Sequence, residues 1–334
     1  MNSIGSCMEG GVISLSGGLI RFLGDTAPTK LCVACSGGSD SVALLALLCR
    51  EKSLHHRLVV LHFNHGTRGG ASDGDADFVQ NLAKEARIPA IIGHRDDVAL
   101  PHFNEDLLRR CRFRFFHREM ARLSTPYLLT AHNRDDVIET FLMRLARGSS
   151  IDGLAALRPV EHRRDGRIYV RPLLSLSKDV LRNYLLVERI PWREDESNAS
   201  ELYLRNRVRH QLIPLWETLE PERPLKSCLL LTRTLLVEDA DALVELSNRC
   251  FQMAFHENRL NLEALAGQPL AILRRVLHLF FLENGHILER ARADHLLNML
   301  RRGKPFKVSV ASNVTCISTG LQIYLQQTHH PKTP

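Results

Sequence analysis

The sequence contains no apolar run near the ~18–20 residues that a membrane-spanning helix needs, so helical membrane insertion is not expected. The N-terminus lacks the basic-then-apolar layout of a secretory signal peptide, and the expected location is cytoplasmic. Low-complexity tracts and internal repeats are also missing. With 44% hydrophobic and 24% charged residues among 334, disordered and collagen-like chains are excluded, and about two domains fit the length. Zinc-site spacing is missing too. Of Cys7, Cys32, Cys35, Cys49, Cys111, Cys228, Cys250 and Cys316, only Cys32 and Cys35 stand close enough to share a metal, and no second Cys or His pair answers them. Both fall in a strand-like run, where side chains alternate between faces. All eight read as buried thiols of a reducing compartment, with a CxxC redox pair as the rival reading. Lysine is scarce, 8 against 36 Arg within a net charge of +7. Guanidinium groups fork onto phosphate, so nucleic acid is a permitted partner, although genome base composition explains the same excess.

Residues 1–29 are Gly/Ser-rich and read as a loose tail with a short helix. From Lys30 onward strands and helices alternate. Strands are expected at 31–35, 58–63, 89–93 and 126–130. Between them lie helices after Ser41, after Ser72 (an N-cap with Asp75 three residues on), over 104–123 and from the Asn133 cap to about Arg147. Such alternation implies right-handed crossovers and a doubly wound parallel sheet, an α/β architecture of Rossmann-like type. A helix starts at Ser177. Past about Pro224 the leucine-rich stretches 225–246, 260–282 and 290–300 predict helices, and 306–324 alternates like a strand. The cluster Pro214, Pro221 and Pro224 suggests a boundary, giving a tail over 1–29, a catalytic domain over 30–215 and a smaller, mainly helical domain over 216–330.

Ser36-Gly37-Gly38-Ser39-Asp40-Ser41 lies directly after the first strand and before its helix. Two glycines let the backbone turn tightly against an anion, and the free N–H groups at a helix start favour phosphate. Asp40 would repel a polyphosphate unless a divalent cation stood between them, so the loop implies Mg²⁺ held by Asp40. The string is neither a Walker A loop nor a dinucleotide turn. A plain Gly-rich turn with a Ser/Asp cap is the alternative.

Two more strand ends carry polar runs: His62-Phe63-Asn64-His65-Gly66-Thr67-Arg68-Gly69, and Ala131-His132-Asn133-Arg134-Asp135-Asp136-Val137-Ile138-Glu139-Thr140 followed by Arg147-Gly148-Ser149. Later come Ile190-Pro191-Trp192, Asp195, Ser197-Asn198 and Arg205-Asn206-Arg207-Val208-Arg209-His210. Asp136 and Glu139 are three apart on one helical face, which suits an ammonium ligand and the removal of its proton. The alternative is that they complement the helix dipole. Arg109, Arg110, Arg112, Arg114, Arg118 and Arg122 stud one helix with Phe113, Phe115 and Phe116 between them. The phenylalanines are expected inward and some of the arginines on RNA phosphate, against a plain solvated face.

The SGGxDS loop resembles that of the N-type ATP-pyrophosphatase, or PP-loop, superfamily. Taken with the later motifs, residues from about Lys30 to His210 resemble the tRNA(Ile)-lysidine synthetase family in its shorter form. Asn133 stands where that family usually has a second His, and Val137 where it usually has Gln. The resemblance implies ATP-dependent ligation of L-lysine to C2 of the wobble cytidine of a CAU-anticodon tRNA(Ile), through an adenylated cytidine, releasing AMP and pyrophosphate. It implies nucleotide binding by Ser36, Gly37, Gly38, Ser39, Asp40, Ser41 and Phe63, with ATP and Mg²⁺ as cofactors. It puts Asp40, Asp136, Glu139, His132 and Arg68 in catalysis and lysine on Asp136 and Glu139. Arg109, Arg112, Arg205, Arg207 and Arg209 are expected on the tRNA. The helical tail resembles the family's tRNA-binding domain, and a further C-terminal domain of longer members is expected to be absent. Oligomeric state is not readable, a homodimer being one possibility. Another PP-loop tRNA-modifying enzyme such as a thiolase, which needs cysteines at the site, and an inactive RNA-binding relative are the rivals.

Overall fold

The computed structural model describes residues 6–9, 12–26, 29–66, 70–95, 105–194, 204–219, 221–311 and 313–327. Two compact units divide at Arg233 and Thr234, inside a continuous 30-residue helix, Leu225–Ala254. The proline cluster at 214–224 lies within the first unit.

The first unit begins with an antiparallel hairpin of β1 (Ser6–Glu9) and β2 (Val12–Leu15). A helix, Gly17–Gly24, follows, capped by Ser16. The loose tail expected there is instead partly paired. Six strands then form the main sheet: β3 (Leu31–Ala34), β4 (Leu58–Asn64), β5 (Ala90–His94), β6 (Tyr127–Leu129), β7 (Val160–His162) and β8 (Ile168–Val170). Their order is β5-β4-β3-β6-β8-β7. All neighbours are parallel except the edge strand β7, which pairs antiparallel with β8.

Every residue of β4 is buried, as a strand covered on both faces must be. Alternate residues feed two separate cores. Leu31, Val33, Cys35, Leu58 and Val60 join the helices Gly17–Gly24, Ser39–Arg50, Gly70–Glu85 and Lys178–Val187. Cys32, Val59, Leu61 and Phe63 join Phe115, Phe116 and Met120 of the helix Glu105–Arg122. The sheet is therefore doubly wound, and Cys32 and Cys35 contribute to different cores. Burial pushes the Cys32 thiol up to about 12. The expectation that all eight cysteines are buried fails at Cys228, which is exposed, and at Cys49 and Cys111, which are half-buried. Ser72 is no cap either: its helix starts two residues earlier, at Gly70.

The second unit corrects the mainly helical expectation. It carries the end of the Leu225–Ala254 helix, the helices Leu270–Glu283 and Arg290–Arg301, and a five-stranded antiparallel sheet. The strands are β9 (Phe255–His256), β10 (Arg259–Asn261), β11 (Phe306–Ala311), β12 (Val314–Ser318) and β13 (Gln322–Gln327), ordered β11-β12-β13-β10-β9. Residues 255–261, expected at the margin of a helical stretch, turn through Glu257 and Asn258, both at positive φ. That geometry joins two strands tightly. Phe280, Phe281, Leu296, Val314 and Ile323 share one core between these helices and strands.

Gly93 in β5 shows how closely the first unit packs. A Cβ there would lie 2.4 Å from two atoms of the Phe115 ring. Gly93→Ala is expected to cost about 1–3 kcal/mol through overpacking, read as a lower urea midpoint at unchanged m-value. Shortening the neighbour with Phe115→Leu in the same chain is expected to recover part of the loss.

Candidate functional site

The strand order reverses between β3 and β6, since the chain leaves β3 toward β4 on one side and returns to β6 on the other. Parallel sheets form a ligand crevice at such a point, beyond the carboxyl ends of the strands. The loop 36–41 leaves β3 there, and the run 130–139 leaves β6 beside it.

The loop is held from within. Ser41 Oγ donates to the Gly38 carbonyl at 2.9 Å and accepts from the Ser36 amide at 3.1 Å. Gly37 takes φ +92°, a conformation suited to glycine. Gly38 is the N-cap of the Ser39–Arg50 helix with no side chain to satisfy the first amides, which leaves a helix start open to an anion. From β4, the buried His62 donates through Nδ1 to the Cys35 carbonyl at 2.9 Å, fixing the base of the loop.

From β6, Asn133 caps the helix Arg134–Ala146 by a reciprocal box. Its Oδ1 accepts from the Asp136 amide at 3.1 Å while Asp136 Oδ2 accepts from the Asn133 amide at 2.9 Å. The Asn133 side chain also lies close enough to the Asp40 carboxylate to lower its pKa, which brings the two loops together. Asp40 Oδ1 is buried with no hydrogen-bond partner. Burial foremost lifts the Asp40 carboxyl to about 6; Asp136 adds to the rise, while Lys178, Asn133 and Arg209 oppose it. An orphaned carboxylate oxygen in a phosphate-type loop fits a hard divalent cation.

Asp136 and Glu139 come together as their spacing predicts, and two arginines meet them. Arg205 donates through Nε to Glu139 at 2.6 Å and through Nη2 to Asp136 at 2.5 Å. Arg209 donates through Nε to the other Glu139 oxygen at 2.6 Å. Glu139 is 1% exposed and Asp136 14%. Arg205 belongs to the short helix Leu204–Arg207 and Arg209 to a π-helical turn, Val208–Leu212. In this structure both arginines, expected on RNA phosphate, pair with the acids instead: buried carboxylates demand cationic partners, and these two supply them. Arg207, two positions from each of them, is exposed.

Asp135 is drawn elsewhere, since its Oδ2 accepts from the Lys178 amide at 2.8 Å and anchors the Lys178–Val187 helix. His132 Nδ1 meets Thr130 Oγ1 at 2.9 Å. Burial, followed by the nearby guanidinium groups of Arg171, Arg205, Arg109 and Arg112, depresses His132 to about 3. It is a neutral imidazole in a cationic surround. Burial likewise lowers His65 to about 4, with Arg112 adding to the effect. Phe63 buries its ring against His65 and Phe115, at 5.0 and 5.5 Å between centroids, so its visible role is packing. Arg109 is exposed, with its guanidinium over the Phe113 ring at 4.9 Å. Arg112 is half-buried beside the same ring. Arg68, Asp195, Ser197 and Asn198 lie outside the described residues.

Sequence reasoning missed the link from Asn133 to Asp40, the hydroxyl on His132, and a contact from Arg193 to the loop. Only the spacing of Thr130 and His132 offered a local signal. The other two join segments far apart in the chain.

A PP-loop domain family matches residues 15–216. Among curated proteins, the chain is 40% identical over 196 residues to a tRNA(Ile)-lysidine synthase of Geobacter sulfurreducens, covering 58% of this chain and 41% of that one. It is 32% identical over 255 residues to a tRNA(Ile)-lysidine synthase of Synechococcus sp., covering 75% and 76%. The match spans about two fifths of the length of the first three curated relatives. Among solved structures, the fold is similar to the U34-tRNA thiolase NcsA of Methanococcus maripaludis, at TM-score 0.53 and 20% identity over 66% of this chain and 77% of that one.

The orphaned charge of Asp40 has a measurable consequence in metal-free protein. A carboxyl raised to about 6 costs stability above that pH, where the folded state holds it ionised. The cost shrinks as pH falls toward about 4, where the folded carboxyl is protonated and the unfolded one is becoming so. Asp40→Asn is expected to stabilise the protein in chelator by about 2 kcal/mol at pH 8 and by little at pH 4. Denaturant midpoints at the two pH values measure this.

Proposed function

Because this chain belongs to the PP-loop family and, within it, to the tRNA(Ile)-lysidine synthases, we propose that it joins free L-lysine to C2 of the wobble cytidine in a CAU-anticodon tRNA(Ile). ATP is consumed to AMP and pyrophosphate. The observation that carries this reading is the meeting, at one crevice, of an anion-ready loop with a paired acid site: Asn133 and Asp136 both act on the Asp40 carboxyl, and Asn133 caps the helix that bears Asp136 and Glu139.

In the first step the cytidine C2 oxygen attacks the α-phosphorus of ATP and pyrophosphate leaves. The open amides at the start of the Ser39–Arg50 helix, with Ser36, Ser39 and Ser41, suit the leaving phosphates. Asp40 would hold Mg²⁺, which supplies charge neutralisation on the polyphosphate oxygens. The neutral His132 can hydrogen-bond a reacting oxygen without adding a titrating charge.

In the second step the lysine ε-nitrogen attacks C2, AMP leaves, and the amine sheds its protons. Asp136 and Glu139 suit the ammonium form and can take a proton from it. Their four oxygens already accept from Arg205, Arg209 and the Asn133 amide. Lysine therefore gains the pair by taking the place of Arg205, which bridges both acids and whose departure frees one oxygen on each. The exposed Arg207 and Arg109, with Arg112, remain the candidates for tRNA phosphate.

The thiolase reading has less support. Cys35, the described cysteine nearest the loop, is fully buried in the sheet core, and its thiol is bonded to Ser41 at 3.7 Å.

Incubation with ATP, Mg²⁺, labelled lysine and total tRNA is expected to place label in a CAU-anticodon tRNA, and label in no tRNA would overturn the assignment. Glu139→Gln keeps the shape of the site and is expected to raise the lysine KM about tenfold or more while moving the ATP KM little. Replacing Arg109 and Arg207 together by Ala is expected to reduce the slope of log affinity for tRNA against log salt by about 2, measured by filter binding across a salt series.

A further inference from the structure

We propose that Arg193 is a positioning residue for the phosphate loop, acting through a strap formed by residues 190–194. The inference rests on the nucleotide reading above and adds a residue that the loop motif does not contain. The Arg193 amide donates to the Gly37 carbonyl at 2.9 Å. That carbonyl and the Gly38 N–H belong to one planar trans peptide, so they point in opposite directions. Holding the carbonyl on the strap side turns the Gly38 N–H to the other side, where it finds only Ser36 Oγ at 3.4 Å. A bond that long leaves the amide available to a stronger acceptor such as a phosphate oxygen. Without the strap, a peptide between two glycines would rotate with little steric resistance.

The strap is fixed on both flanks. Arg193 Nε donates to Asp75 Oδ1 at 3.0 Å, on the Gly70–Glu85 helix. Its Nη2 lies 3.3 Å from where a Cβ of Gly74 would sit, so the small residue before Asp75 makes room for the guanidinium. On the other flank Glu194 accepts from Trp192 Nε1 at 2.9 Å and from Arg182 Nη2 at 3.0 and 3.1 Å. Arg182 lies on the Lys178–Val187 helix, which Asp135 anchors. The strap thus connects the helix after β4 and the helix after β8 across the loop after β3. The Arg193 side chain is 47% exposed. An ion pair of that exposure adds little to global stability, so its effect is local, on the orientation of the loop.

Amide hydrogen exchange of the full chain without nucleotide tests this. Arg193→Ala is expected to speed exchange of the residue-193 amide, which the Gly37 carbonyl holds, about tenfold at an unchanged urea midpoint. It is also expected to weaken ATP binding by calorimetry about tenfold, while tRNA affinity holds and Arg193→Lys restores protection of that amide. Unchanged exchange at residue 193 in Arg193→Ala would overturn the proposal. Should Arg193→Ala lower the midpoint as well, Arg193→Gln decides: selective loss of protection at residue 193 supports the strap, and uniform loss across the sheet overturns it. Failure of the ligase assignment would register separately, as wild-type protein that incorporates no lysine whatever the loop does.

Discussion

Three carboxylates converge at the switch point of the sheet, and their mutual repulsion organises what surrounds them. Asp40, Asp136 and Glu139 leave water for a crevice in which like charges are costly. Glu139, the most buried, takes two guanidinium groups. Asp136 shares one of them and spends its other oxygen on a backbone amide. Asp40 is offset only by the field of Lys178 and the neighbouring Asn133 and Arg209, and its Oδ1 stays unpartnered. The charge balance is therefore nearly closed on the acidic helix and open on the loop. That asymmetry is what a site for a cation and a polyphosphate requires. It also places Arg205, which bridges both acids, where an incoming ammonium would compete.

The fold supplies this convergence because strand order and sequence order part company at β3. Neighbouring strands β3 and β6 are separated by some 90 residues of chain, all spent on building one side of the sheet, before the polypeptide returns to the centre. Two loops that never meet in sequence become adjacent at their carboxyl ends. The same return explains why arginines from beyond residue 200 can serve acids near 136: a short helix and a π-helical turn bring two of them, four positions apart, onto one face. π-turns recur at functional sites because they rotate the side chains that follow.

The central strands, the phosphate loop and the acidic helix were legible in the sequence because each depends on local rules: apolar runs, paired glycines, a capping Asn. The layout after residue 255 was less so. Phe255, His256 and residues 259–261 look like the edge of a leucine-rich helix, and only the left-handed turn at Glu257 and Asn258 makes them strands. Asn258 belongs to a residue type that tolerates the left-handed region, but Glu257 does not, and no glycine marks the turn. Arg205 and Arg209 were visible as a basic cluster, but their partners were not, since charge pattern alone does not say whether an arginine faces solvent, phosphate or a buried acid. Arg193 was invisible for a related reason. Its decisive contact is made by its backbone amide, which every residue but proline possesses.

Asn133 shows how a departure from a family pattern can be absorbed. The sequence resemblance leads one to expect a histidine at this position, and the residue present must close the capping box of the acidic helix beside Asp40. A carboxamide does so with one short side chain: its oxygen accepts from the Asp136 amide, and the same side chain lowers the pKa of the nearby Asp40 carboxyl. It also carries no proton that titrates near neutrality. A neutral amide only partly offsets the burial of Asp40, whose carboxyl stays raised and whose Oδ1 finds no hydrogen-bond partner. The charge on the loop is thus one that a bound cation would balance.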